Sequence, residues 1–161
     1  MKVLIFFLLT LSFGIHAQVD RDSELFKTLQ QKDSLIFKRG FNHCELEVFI
    51  DFIAEDLEFY HDKAGITNNK AAFVKQFKNG ICGNPDFSAR RELIQGSLEV
   101  YPLYDNGNLY GALQKGIHKF YAKPKDKPEI TGSTARFTHL WLLLEGEWIL
   151  KRVLSYNHLI K

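Results

Sequence analysis

The chain has 161 residues, 45% of them hydrophobic, 25% charged and 14% aromatic, with a formal charge of +2. Its 14 Phe, six Tyr and two Trp supply too much apolar surface for a disordered chain. The near balance of acidic and basic side chains leaves no footprint for nucleic acid, and the size suits one domain.

Met1-Lys2 is followed by an apolar run from Val3 to Leu11 and then by Ser12-Phe13-Gly14-Ile15-His16-Ala17. This is the three-part layout of a secretory signal peptide with Ala17 at the cleavage point. The run ends near Gly14, short of the roughly 20 residues that span a bilayer. The expectation is therefore a signal at 1–17 and a single domain at 18–161, exported to the periplasm or secreted, with no membrane attachment after cleavage. In an oxidising compartment, Cys44 and Cys82 read as a disulfide; the alternative is two separate buried thiols.

Leu25, Phe26, Leu29, Ile36 and Phe37 give one face of a helix over 20–38 that Gly40 can end. A second helix is expected from Asn42, as cap, to Glu55-Asp56, with Leu46, Phe49, Ile50 and Ile53 inward. Leu57 to His61 then alternates as a strand, with Leu57, Phe59 and His61 on one face and Glu58 and Tyr60 on the other. A third helix is expected over 69–79, ended by Gly80. The remainder reads as strand: 90–104 and 109–122 joined by an Asn106-Gly107 hairpin turn, then 134–144 and 148–156 around Glu145-Gly146-Glu147. Three amphipathic helices and one long sheet bury their apolar faces together when the helices lie across one side of a curled sheet, which leaves a pocket between the layers.

Several stretches carry a resemblance to a known family. They are Lys38-Arg39-Gly40-Phe41-Asn42, the run from Phe49 to Asp62 with Gly65 after it, the helix from Lys70, and the closing Gly146-Glu147-Trp148-Ile149-Leu150-Lys151-Arg152-Val153. The chain resembles the nuclear transport factor 2-like, or SnoaL-like, superfamily, which includes ketosteroid isomerases, polyketide cyclases and exported bacterial proteins. The resemblance implies a cone-shaped α+β fold, three helices on a strongly curved, mainly antiparallel sheet of the cystatin-like type. It also implies a pocket and a homodimer through the sheet. It does not carry a reaction, because this fold hosts many. By register the isomerases' general-base aspartate falls on His61, and their oxyanion-donating tyrosine falls on Phe37, which has no hydroxyl.

His61 and His139 are the candidate catalytic bases, since imidazole titrates near neutrality. His139 shares an apolar strand face with Phe137, Trp141 and Leu143, where a polar ring faces a cavity or finds a hydrogen bond. Tyr60, Arg90, Glu92, Gln114, Trp141 and Tyr156 are the expected ligand-binding side chains, although Arg90 and Glu92, two apart, also read as a structural pair. His118 and His158 are expected to face solvent. The five histidines after the signal show no metal-ligand spacing, and no phosphate loop or nucleophile elbow is present. The sequence thus assigns no metal and no cofactor. Two functions follow: an exported domain binding a small apolar or amphipathic molecule, and a cofactor-independent isomerase, cyclase or dehydratase with a pocket histidine as base.

Overall fold

Ser23 starts the first helix by accepting a hydrogen bond from the Phe26 amide, and α1 spans Glu24–Ser34 in the computed structural model, which describes residues 18–160. The helix then widens into a π-helical stretch, Leu35–Phe41. Gly40 sits inside it because a Cβ there would lie 2.1 Å from the Phe49 ring. The expected second helix is replaced by two 3₁₀ turns, Leu46–Val48 and Ile50–Phe52, and the strand begins at Ile53. Asn42 does not cap a helix: its side chain brackets the backbone of Arg91, accepting from N–H at 2.7 Å and donating to C=O at 2.9 Å. β1 spans Ile53–His61 and β2 Gly65–Asn68; α2 covers Lys70–Gln76, capped by Asn69, and continues as a π-helical turn, Phe77–Ile81.

The expected strand over 90–104 is two strands, β3 at Phe87–Leu93 and β4 at Glu99–Asp105. Both pair with one edge of β5, Asn108–Pro124. β6 spans Ile130–Leu144 and β7 Glu147–Ile160. The sheet order is β2-β1-β7-β6-β5-β3 with β4 beside β5; all pairs are antiparallel except β1 with β7. The architecture is the expected α+β one, with fewer long helices. α1, α2 and their π-helical extensions cover the face of the sheet that carries Leu57, Val100, Phe137, Trp141 and Leu150, all 1% exposed or less.

Cys44 and Cys82 form a disulfide that joins the segment after the first π stretch to the end of the second. On a chain-entropy estimate, closing that 38-residue separation stabilises the fold by about 4 kcal/mol. The bond fixes the two helical elements to each other where they roof the sheet. The signal expected at 1–17 lies outside the described residues, and among these no helix is long and apolar enough to cross a membrane.

Candidate functional site

Between roof and sheet lies a cavity of about 450 Å³. Phe37 and Phe41 roof it from the first π stretch, Phe73 and Phe77 from α2 and its extension, and Phe120 and Phe137 form part of its floor. Edge and tilted contacts knit these rings together, with Phe41 and Phe77 centroids 5.9 Å apart and Phe73 and Phe77 4.9 Å apart. Against this apolar lining four histidines stand out. Four neighbouring strands each contribute one: His61 from β1, His158 from β7, His139 from β6 and His118 from β5.

His118 and His139 occupy the buried end, at 2% and 1% exposure. Gln114 sets the state of His139. Its amide nitrogen donates to the Leu29 carbonyl at 2.8 Å, and its oxygen accepts from the Trp141 indole N–H at 2.9 Å. That oxygen also meets His139 Nδ1 at 3.2 Å, so Nδ1 carries the proton and Nε2 keeps a lone pair. For His118 the order is reversed. Arg91 Nε donates to His118 Nδ1 at 3.4 Å, which leaves the proton on Nε2, a buried donor with no partner among the described residues. Arg91 is itself buried, paired with Asp33 at 2.8 and 3.0 Å, with its guanidinium 3.9 Å from the centre of the Phe37 ring. Burial and then the Arg91 charge push His118 down to about 2 and His139 to about 3, so both rings are neutral at ordinary pH.

The other end is built by irregularities in β7. Regular alternation would turn His158 away from Ser155. The pairing with β6 slips between Thr134 and Arg136, and Asn157 takes a positive φ of 59°, so the extra residue brings Ser155 and His158 onto one face. A second slip beside Leu140 and Trp141 does the same for Leu150 and Val153. The parallel pairing of β1 with β7 sets His61 directly beside Ser155. One residue on, Asp62 accepts from the His158 backbone N–H at 3.1 Å and, through its other oxygen, from His158 Nδ1–H. His158 Nε2 then faces the Ser155 hydroxyl at 3.4 Å. Burial works to raise the Asp62 carboxyl, but the His158 N–H groups and charge hold it below the usual carboxylate range. His61 Nδ1 accepts from the Lys63 amide at 3.0 Å, leaving its proton on Nε2. Burial lowers its pKa, as does the nearby His158, against the opposing pull of Asp62.

Ligand atoms of His61, Asp62 and His158 lie within 4.8 Å of one another, a grouping a metal ion could use. The two imidazoles, however, stack at 4.4 Å with planes 18° apart, so their in-plane lone pairs run side by side instead of converging. The hydrogen bonds in this group run from His158 to Asp62, and the His61 ring stacks on that pair.

Of the side chains expected to meet a ligand, the structure places His61 and His139 on the cavity wall and the others elsewhere. Gln114 and Trp141 are fully buried behind His139. Tyr60 lies on the outer face bonded to Glu58, and Tyr156 approaches Thr138 at 3.4 Å. Arg90 and Glu92 also point outward, where Arg90 binds Glu129 at 2.7 Å and lies 3.4 Å from Glu92. The inward residue between them is the buried Arg91. His118 and His158, expected in solvent, line the cavity. The alternation of β5 could have placed His118, since it follows Gln114 and Gly116 on one face; the β7 bulge carries no comparable signal.

No family model matches the chain, and no curated protein matches it by sequence. Solved structures do. A nuclear transport factor 2-like superfamily protein from Salmonella enterica serovar Typhimurium superposes with TM-score 0.65 at 12% identity, over 81% of this chain and 89% of that one. The fold is that of the nuclear transport factor 2-like superfamily. A nuclear transport factor 2-like protein of unknown function from Pseudomonas putida matches at TM-score 0.63 and 17% identity, over 83% and 92% of the two chains. A protein of unknown function with a cystatin-like fold from Nostoc punctiforme matches at 0.57 and 13%, over 83% and 91%. At these identities the nuclear transport factor 2-like likeness is one of fold.

Proposed function

We propose that this protein is an exported domain that binds a small, largely apolar molecule in the cavity between its helices and sheet. The observation that supports it best is the unpaired Nε2–H of His118. A buried donor without a partner costs about 1–3 kcal/mol, and the His118 residue lines a cavity of about 450 Å³ walled by Phe rings, where an acceptor such as a carbonyl or ether oxygen of a bound molecule would satisfy it. His139 Nε2 offers the complementary acceptor. Both rings are neutral, so the part of the ligand that reaches them is uncharged. The disulfide supports export. The half-exposed Leu113, Leu140, Leu142, Ile149 and Tyr156 on the outer sheet face support a homodimer through that face, to be checked by light scattering.

Native mass spectrometry of protein purified from its own cell envelope, combined with titration by the uncharged dye Nile red, tests the reading. A retained small molecule, or saturable dye fluorescence that weakens about tenfold in His118→Phe, is the expected result. Absence of both would refute it. The second reading, a cofactor-independent isomerase, cyclase or dehydratase, is favoured by the imidazole of His158, whose Nδ1 partner is a carboxylate where that of His139 is the neutral Gln114 amide. Deuterium exchange into a bound carbonyl compound, lost in His158→Ala, would select it.

A further inference from the structure

Ser155, His158 and Asp62 stand in an order that ligand binding alone does not require. The Asp62 carboxylate takes His158 Nδ1–H and the His158 backbone N–H, which fixes the tautomer and the ring's orientation. The ring presents its Nε2 lone pair to the hydroxyl of Ser155 at 3.4 Å, a separation in the looser range that such pairs show before substrate binds. Ser155 is 6% exposed, and its side chain and the His158 ring both line the apolar cavity. His61, paired across the β1–β7 ladder with Ser155, carries its remaining proton on Nε2 in the same wall.

We infer that Ser155 is a nucleophile activated by His158 and Asp62, and that the cavity accepts apolar esters whose acyl group it takes up. The inference rests on the reading that the cavity admits small apolar molecules. In the first step the Ser155 oxygen bonds to the ester carbonyl carbon while its proton passes to His158 Nε2. The carbonyl oxygen becomes an oxyanion beside the His61 Nε2–H donor. Collapse breaks the carbon–alkoxy bond, and the proton on His158 goes to the departing alcohol, leaving an acyl group on Ser155. Water, its proton taken by His158, then releases the carboxylic acid and restores the serine hydroxyl. Asp62 remains a carboxylate throughout and acts by holding the imidazole.

The test is an alkyl fluorophosphonate added at pH 8 to the disulfide-intact protein in the presence of Nile red. Intact mass and peptide mapping read the adduct while dye fluorescence reads cavity occupancy. The expected result is one phosphonyl group on Ser155, none in Ser155→Ala, and labelling slowed on the order of 10²–10⁴-fold in His158→Ala and Asp62→Asn. His61→Phe should slow labelling without abolishing it. Dye displaced with no adduct, or an adduct that persists in Ser155→Ala, overturns the nucleophile and leaves the binding reading standing. No dye bound and no adduct removes both. Circular dichroism of each variant separates lost folding from lost reactivity, and the labelling of the unaltered protein does not depend on any variant folding.

Discussion

The two ends of the cavity use the same residue type in opposite ways. At the buried end, His118 and His139 are surrounded by aromatic rings and held by Arg91 and Gln114, groups that bring no free negative charge, so burial keeps both rings neutral. At the other end, His158 is bonded to a carboxylate that still reaches solvent, and its free nitrogen faces a hydroxyl. An imidazole is thus a fixed dipole in one place and, in the reaction we propose, a proton carrier in the other. The difference lies in the partner on Nδ1 rather than in the ring.

The largest expected effect tests how tightly the buried end is tied to folding. Arg91→Met leaves the Asp33 carboxylate buried without its partner and should cost about 3–5 kcal/mol, read as a lower urea midpoint. Asp62→Asn, at the carboxylate end, weakens its bonds to His158 but leaves no charge buried and should lower the midpoint less than Arg91→Met does. A large loss there would make that end structural and blur the contrast. Next, Gln114→Leu strips acceptors from the His139 and Trp141 N–H groups and a donor from the Leu29 carbonyl. Several groups left unpaired should cost about 2–4 kcal/mol by the same measurement.

Acid gives an intermediate effect with a definite sign. The folded pKa values of His118 and His139, about 2 and about 3, lie below the unfolded value near 6.5. The unfolded chain therefore binds more protons between those limits. The associated stability is complete above about pH 6.5 and falls as pH drops from there toward the folded values, by up to about 1.4 kcal/mol per pH unit for each ring. His139→Phe should flatten that slope when urea midpoints are followed from pH 7 to pH 4. An unchanged slope would mean the ring is already charged in the fold. The smallest effect is expected for His118→Phe, which keeps ring volume and removes an unpaired donor, a gain that offsets the acceptor lost by Arg91 Nε. Its stability should shift by no more than about 1 kcal/mol while apolar ligand affinity falls about tenfold, a separation that no purely structural role for His118 would produce.

Where a side chain's direction follows from local alternation, the residues themselves were enough. Leu57, Phe59 and His61 face inward from β1, and Phe137, His139 and Trp141 from β6, as a period of two requires. The Asn106-Gly107 turn closes β4 on β5, with both residues at positive φ. Arg90 and Glu92 show the limit of that reading: strand spacing put them on one face, but only the packing of Arg91 against Asp33 and Phe37 decided which face was inside.

Composition and periodicity by themselves determined an aromatic-rich α+β domain, its helix-on-curved-sheet arrangement, and two of the four cavity histidines. The tertiary structure decided the rest. The helix expected over 42–56 gives way to strand from Ile53, which pairs with Leu150 at the start of the parallel β1–β7 ladder, a partner no local preference announces. The widening of α1 lets Gly40 pass against Phe49, a contact between segments that spacing cannot register. The bulge at Asn157 turns His158 toward Ser155 and Asp62. Each is a choice made by partners distant in sequence: a one-residue slip in pairing costs little locally yet exchanges the inside and outside of every side chain beyond it.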